Sequence, residues 1–316
     1  MKLSHFASAA ASVLVLGIAA PAFAQTGYVY GVYGENRDHP HTVNTEQVGF
    51  TGGFSVPVGM FEVSGEASYL DTGRDSLSTA DFGKVETRNQ ATAFDVQTFF
   101  AGSLYTRNDK WGWGATVAGG ELGDIIFDEF DNSVNAKLPH NGKATNPNQA
   151  RFALDKITEV EGSLFAQAYG DKWVGSARVG YGVVSLGTRI IPNPATTGAS
   201  DRLLNVDSEL NYVDVTFDGN FFFTDHAQLT IGVDWKDYEL YDPVVSSSIG
   251  LEYQLKDSPI SLKSNIEFSK WGNSVTIGAV ATFGADSIND RVRKGPANPW
   301  ISTLRHYSSQ FVTGGF

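Results

Sequence analysis

Nine carboxylates and four basic side chains of this chain fall on one phase of segments that alternate apolar with polar. The acids are Glu62, Glu66, Asp95, Glu161, Asp214, Asp218, Asp234, Glu252 and Glu267; the bases are Arg178, Lys236, Lys256 and Lys263. Successive side chains of a strand point to opposite faces, so one phase along a strand means one shared face. Carboxylates in such number suit acid–base catalysis, metal binding or electrostatic selection of ions. Catalysis by a nucleophile needs a base within hydrogen-bond reach of it, and no Ser, His and acid meet on neighbouring positions of this phase. The chain carries no Cys and no phosphate-loop, dinucleotide or zinc signature, so neither enzyme nor cofactor is expected. Ion selection remains: a net-acidic face around water concentrates cations and repels anions. The alternative is that the same charges pair into a network that fills the space between them.

Histidine adds little. His39 and His41 flank Pro40 in a connecting segment, where two imidazoles make a weak metal signal, and His226 lies in a short turn.

The elements that must position these charges follow from the stretch AQLTIGVDWKDYEL, residues 227–240. Leu229, Ile231, Val233 and Trp235 alternate with Gln228, Thr230, Asp234 and Lys236. Twelve segments behave this way, over 27–36, 46–56, 60–70, 92–105, 111–121, 159–170, 172–186, 208–223, 227–238, 244–256, 260–270 and 273–284. Several reach the roughly 9–11 residues that cross a bilayer at a tilt. After every second segment comes a tight turn (VPVG, RNDK, GDK, TDH, KDSP), whereas most of the other connections are long. A sandwich has no reason to sort its loops by parity; an up-and-down antiparallel barrel in an outer membrane does. Lipid then lies outside Leu229, Ile231, Val233 and Trp235, and a polar interior lies inside Asp234 and Lys236. Trp111, Trp113 and Trp173 follow the short turns, while Trp235, Tyr238 and Trp271 precede the opposite connections. Two aromatic belts are expected where rings settle at the two membrane interfaces.

Composition sets the surroundings. Residues 1–24 have a basic start, an Ala-rich apolar run and the ending Ala22-Phe23-Ala24, the layout of a cleaved secretory signal peptide. Without Lys2 the chain has 22 basic and 35 acidic residues, a formal charge of −13. That charge argues against nucleic acid as a partner. The 34 Gly and 21 Phe disfavour a helical bundle and suit a β structure with close backbone approaches. Twelve strands tilted about 40° would enclose a backbone diameter of roughly 24 Å, leaving about 10–14 Å between side chains.

With the leader, the opening strand GYVYGVYGEN, the loop parity and the final strand NSVTIGAVATFG on the page, residues 25–284 resemble a Gram-negative outer-membrane β-barrel, porin-like in architecture. The resemblance implies an all-β transmembrane barrel in the outer membrane. It would act as a passive diffusion channel for small hydrophilic solutes, in contact with membrane lipid and lipopolysaccharide, with a homo-oligomer possible. General porins fold their third outer loop into the lumen, and by resemblance Asp124, Asp128, Glu129 and Asp131 could form such a constriction. A solvated loop, or a calcium site without EF-hand spacing, are the alternatives. A lipid-modifying barrel enzyme and a structural or adhesive barrel with a filled lumen stay open beside the channel. The chain departs from the family pattern in its tail. Residues 285–316 follow the last strand and are too polar and Pro-broken for another strand pair; they either remain in the periplasm or plug the lumen.

Overall fold

A computed structural model describes residues 26–38, 43–77, 94–122, 125–127, 150–192, 204–239, 243–269 and 272–296. Thirteen strands form one antiparallel sheet: β1 (Thr26–Asp38), β2 (Val43–Val58), β3 (Phe61–Leu77), β4 (Phe94–Arg107), β5 (Trp111–Leu122), β6 (Ile125–Phe127), β7 (Ala150–Gly170), β8 (Trp173–Pro192), β9 (Leu204–Thr224), β10 (Ala227–Tyr238), β11 (Val244–Gln254), β12 (Ile260–Ser269) and β13 (Gly272–Phe283). Among the described residues one helix, α1 (Ile288–Lys294), follows. Twelve of the strands close a ring. Each pairs with its chain neighbours, β5 pairs directly with β7 across the short β6, and β1 meets β13 from Gly27↔Phe283 to Asp38↔Gly272. Closure leaves no unpaired edge, so the backbone polar groups of a spanning strand are bonded within the sheet. The fold is an all-β up-and-down barrel.

Side-chain phase follows the alternation. Along β11, Ser246, Gly250, Glu252 and Gln254 are buried inside the ring, while Val245, Ile249, Leu251 and Tyr253 are exposed outside. The same holds around the barrel, with Phe100, Val117, Leu164, Phe217, Leu262 and Ile277 among the exposed apolar residues. A soluble monomer rarely shows apolar patches beyond a few hundred Å². A continuous apolar outer surface over a polar interior is the arrangement that lipid requires.

Four strands run well past their alternation, β3 reaching Leu77 where the alternation ends at 70. β7, β8 and β9 have 21, 20 and 21 residues and continue past 159, 186 and 208 at their outer ends. Beyond the lipid no apolar face is required, so pairing there leaves no period-two hydrophobic trace. β6 joins this outer extension, with Ile125, Ile126 and Phe127 opposite Leu154, Ala153 and Phe152. The leader (1–24) and the tail past residue 296 lie outside the described residues.

Candidate functional site in the lumen

The mouth at the short-turn end of the barrel is occupied by α1. Ser287 caps the helix, its Oγ accepting from the Asp290 amide at 3.1 Å, and Gly295 and Pro296 end it. Asp290 in the first turn and Arg291, Arg293 and Lys294 in the last complement the helix dipole. Ile288 and Val292, one turn apart, pack on Tyr169, Val174 and Phe222. The polar anchors come from the whole ring. Arg291 pairs with Glu252 of β11 at 2.7 Å and donates to Thr282 of β13 at 3.2 Å. Arg293 donates to the carbonyl of Gly170 at the β7–β8 turn. The Asn289 amide donates to the Asp225 carbonyl of the β9–β10 turn at 3.1 Å. Ser55 of β2 donates to the Lys294 carbonyl at 2.7 Å. Arg107 of β4 donates to the Gly295 carbonyl at 3.0 Å while pairing with Glu62 at 2.5 Å. Bonds to strands on all sides put α1 across the mouth. Seven residues of helix span roughly 10 Å, about the width between inner side chains.

Above α1 the lumen opens into a chamber of about 220 Å³. Asp218, Asp234, Glu267, Lys263 and Asn265 line it, and Arg291, Val292 and Pro296 form its floor. Small inward residues create the space. Gly232 of β10 helps keep it open: a Cβ on it would lie 2.7 Å from Ser248 Oγ and 2.8 Å from Asp218 Oδ1, and those side-chain ends would have to shift.

The outer half of the same lumen is packed. Arg178 pairs with Asp214 at 2.6 Å and reaches Glu161 at 3.8 Å, all three nearly fully buried. Arg178 also donates to Thr216 Oγ1 at 3.0 Å, and that hydroxyl lies 2.8 Å from Asp234 and 3.2 Å from Asp214. The Tyr212 hydroxyl bridges Glu159 and Glu161, and the Lys236 ammonium sits 5.0 Å from the centre of the Tyr212 ring. Gly182 makes room for that ring, since a Cβ there would meet Tyr212 at 2.2 Å.

The lining candidates thus divide. Asp214, Arg178, Glu161 and Lys236 meet in the outer network; Asp218, Asp234, Lys263 and Glu267 line the chamber. Glu252 and Glu62 anchor the helix region, and Glu66 accepts from Tyr28 at 2.7 Å. Lys256 is a correction. β11 ends at Gln254, and Lys256 is exposed on the turn toward β12, outside the lumen. The Asp95 side chain and the loop residues Asp124, Asp128, Glu129 and Asp131 lie outside the described residues, as do His39 and His41. Trp111, Trp113 and Trp173 are exposed beside the short turns, and Trp235 is partly exposed on the outward phase of β10. Trp271 lies outside the described residues. Tyr238 is a second correction: it shares the inward parity of Asp234 and Lys236 and packs in the lumen against Tyr212, rings 5.5 Å apart, so it belongs to no belt. The sequence reading passed over Glu159, Arg107 and Arg291. Glu159 carries the parity of Glu161 on β7, and that parity was signal enough. His226 bonds Gln254 at 2.9 Å in its turn, and no group of three metal-ligating side chains occurs among the described residues.

No family model and no curated protein matches the chain. Solved structures do. The translocator domain of the autotransporter NalP from Neisseria meningitidis matches with TM-score 0.51 and 8% identity, over 89% of this chain and 97% of that one. The chain has the fold of an outer-membrane β-barrel. The Pseudomonas putida toluene transporter TodX matches at TM-score 0.45 and 12% identity, covering 81% of this chain and 87% of the other. The KdgM porin matches at 0.42 and 8%, covering 80% and 99%. At such identities the likeness is one of barrel architecture.

Proposed function

We propose that the protein is a diffusion channel of the Gram-negative outer membrane for small hydrophilic solutes, preferring cations, with α1 closing its periplasmic mouth in this state. The observation that carries this reading is a polar chamber inside a closed barrel, lined by three carboxylates and one lysine and floored by a separate helical segment. An excess of fixed negative charge around water raises the local cation concentration. The barrel wall itself supplies the path, and no chemical step is assigned to it. A floor held by side-chain bonds and one backbone bond to a turn, rather than by the sheet ladder, is a part that can leave without unfolding the wall.

The experiment is single-channel conductance in a planar bilayer under a KCl gradient, on the full chain and on a chain lacking residues 285–316. The full chain should be silent or open briefly. The shortened chain should conduct steadily, with a reversal potential on the cation side. Silence from a shortened chain that is folded and inserted would reject the channel. A structural or adhesive barrel with a filled lumen is the second reading, favoured by the buried Arg178–Asp214–Glu161 network. It predicts that silence, and an unchanged result for Asp218→Asn.

A further inference from the structure

The chamber has properties that a solvent-filled gap does not require. Its volume of about 220 Å³ holds roughly seven waters at about 30 Å³ each, which is room for one solute of monosaccharide size. Its charge is lopsided. Asp218, Asp234 and Glu267 face Lys263, while Arg291 in the floor is engaged by Glu252. Two buried polar atoms on its wall also have no hydrogen-bond partner among the described residues: Thr51 Oγ1 and Gln228 Oε1, in residues only 3% and 2% exposed. Gln228 is held in place, because its Nε2 donates to Glu252 at 2.9 Å, and this fixes its free oxygen as an acceptor. Leaving a buried polar group unbonded costs on the order of 1–3 kcal/mol, so native structures rarely do so without a partner, whether protein, water or ligand. Small residues on the strands around the chamber, notably Gly232 and Ser248, keep it open.

We propose that this chamber is a binding site for a small hydroxylated organic cation of amino-sugar size. Its ammonium would face Asp218, Asp234 and Glu267, and its hydroxyls would satisfy Thr51 and Gln228. The proposal rests on the channel reading in treating the chamber as a station on the solute path, and it names the class of solute. Binding is tested directly, so the two readings fail separately.

The test is titration calorimetry on the full chain, folded in detergent, with glucosamine and with glucose as the uncharged analogue. Saturable glucosamine binding is expected, at least tenfold tighter than glucose and weakening as NaCl rises. Ser248→Phe fills the chamber without removing any of its charges and should abolish it. Thr51→Val, which removes the hydroxyl at nearly constant volume, should weaken it several-fold and covers the case in which the phenylalanine variant does not fold. Equal binding of the two sugars, binding untouched by both substitutions, or no binding at all would each overturn the site. The conductance of the shortened chain decides the channel independently: current without binding removes only the site, and binding without current removes only the channel.

Discussion

The two ends of β8, β9 and β10 face the same lumen and treat it in opposite ways. Toward the outside they carry Arg178, Tyr212, Asp214 and Lys236, which pack against one another and pair. Toward the short turns they carry Ser176, Asp218, Thr230 and Gly232 and leave a chamber. Backbone geometry is common to both ends, so side-chain length and pairing alone decide whether a barrel of this diameter is filled or hollow. A buried ion network costs desolvation that its pairing must offset. The hollow end leaves a chamber instead.

The sharpest way to break the contrast is to remove the centre of the packed end. Arg178→Met leaves Glu161 buried without its cation and Asp214 with Lys236 alone, and should destabilise the barrel by about 3–5 kcal/mol. Asp218→Asn, on the chamber wall, should change stability little. Urea unfolding from lipid vesicles, followed by tryptophan fluorescence, measures both; equal losses would mean that the two ends are energetically alike.

Glycines sharpen it next. Gly182→Val drives a branched side chain into the Tyr212 ring, which is wedged by Glu159, Glu161 and Lys236, and should cost about 1–3 kcal/mol. Gly232→Ala meets only the movable ends of Ser248 and Asp218 and should cost much less, while shrinking the chamber. A smaller effect is expected of Thr216→Val, about 1 kcal/mol, since it deletes one hydroxyl shared by Arg178, Asp214 and Asp234.

The same contrast explains what was legible in the sequence. Strand parity is a local property. Leu229, Ile231 and Val233 alternate with polar residues whatever their neighbours do, so the ring of twelve and the inward direction of Asp214 and Asp234 could be read. Pairing is not local. That Arg178 meets Asp214 and Glu161 depends on the registers Arg178↔Thr216 and Phe165↔Arg178, which sequence alone leaves free. Tyr238 was misplaced because an aromatic at a strand end suggests an interface, although its parity with Lys236 pointed inward. The α1 stop and start signals, Ser287, Gly295 and Pro296, were in view. Its position across the mouth was not, because bonds to residues distant in the chain create it.

The weakest expected effect tests that position. Glu252→Gln removes the carboxylate charge facing Arg291, while the bonds from Ser55, Arg107 and Asp225 to the helix region persist. Losing about 1 kcal/mol of one anchor should raise the population of undocked helix roughly five-fold. Trypsin reads this, because Arg291, Arg293 and Lys294 can be cut only when the helix leaves the mouth. Cleavage there should rise about five-fold while cleavage at Lys110 and Lys172, exposed on the periplasmic turns, stays constant. A parallel rise at the turns would mean that the whole barrel had loosened. No change at either place would mean that the Arg291–Glu252 pair does not hold the floor, leaving the backbone carbonyls of Lys294 and Gly295, gripped by Ser55 and Arg107, as the hinge on which the mouth stays shut.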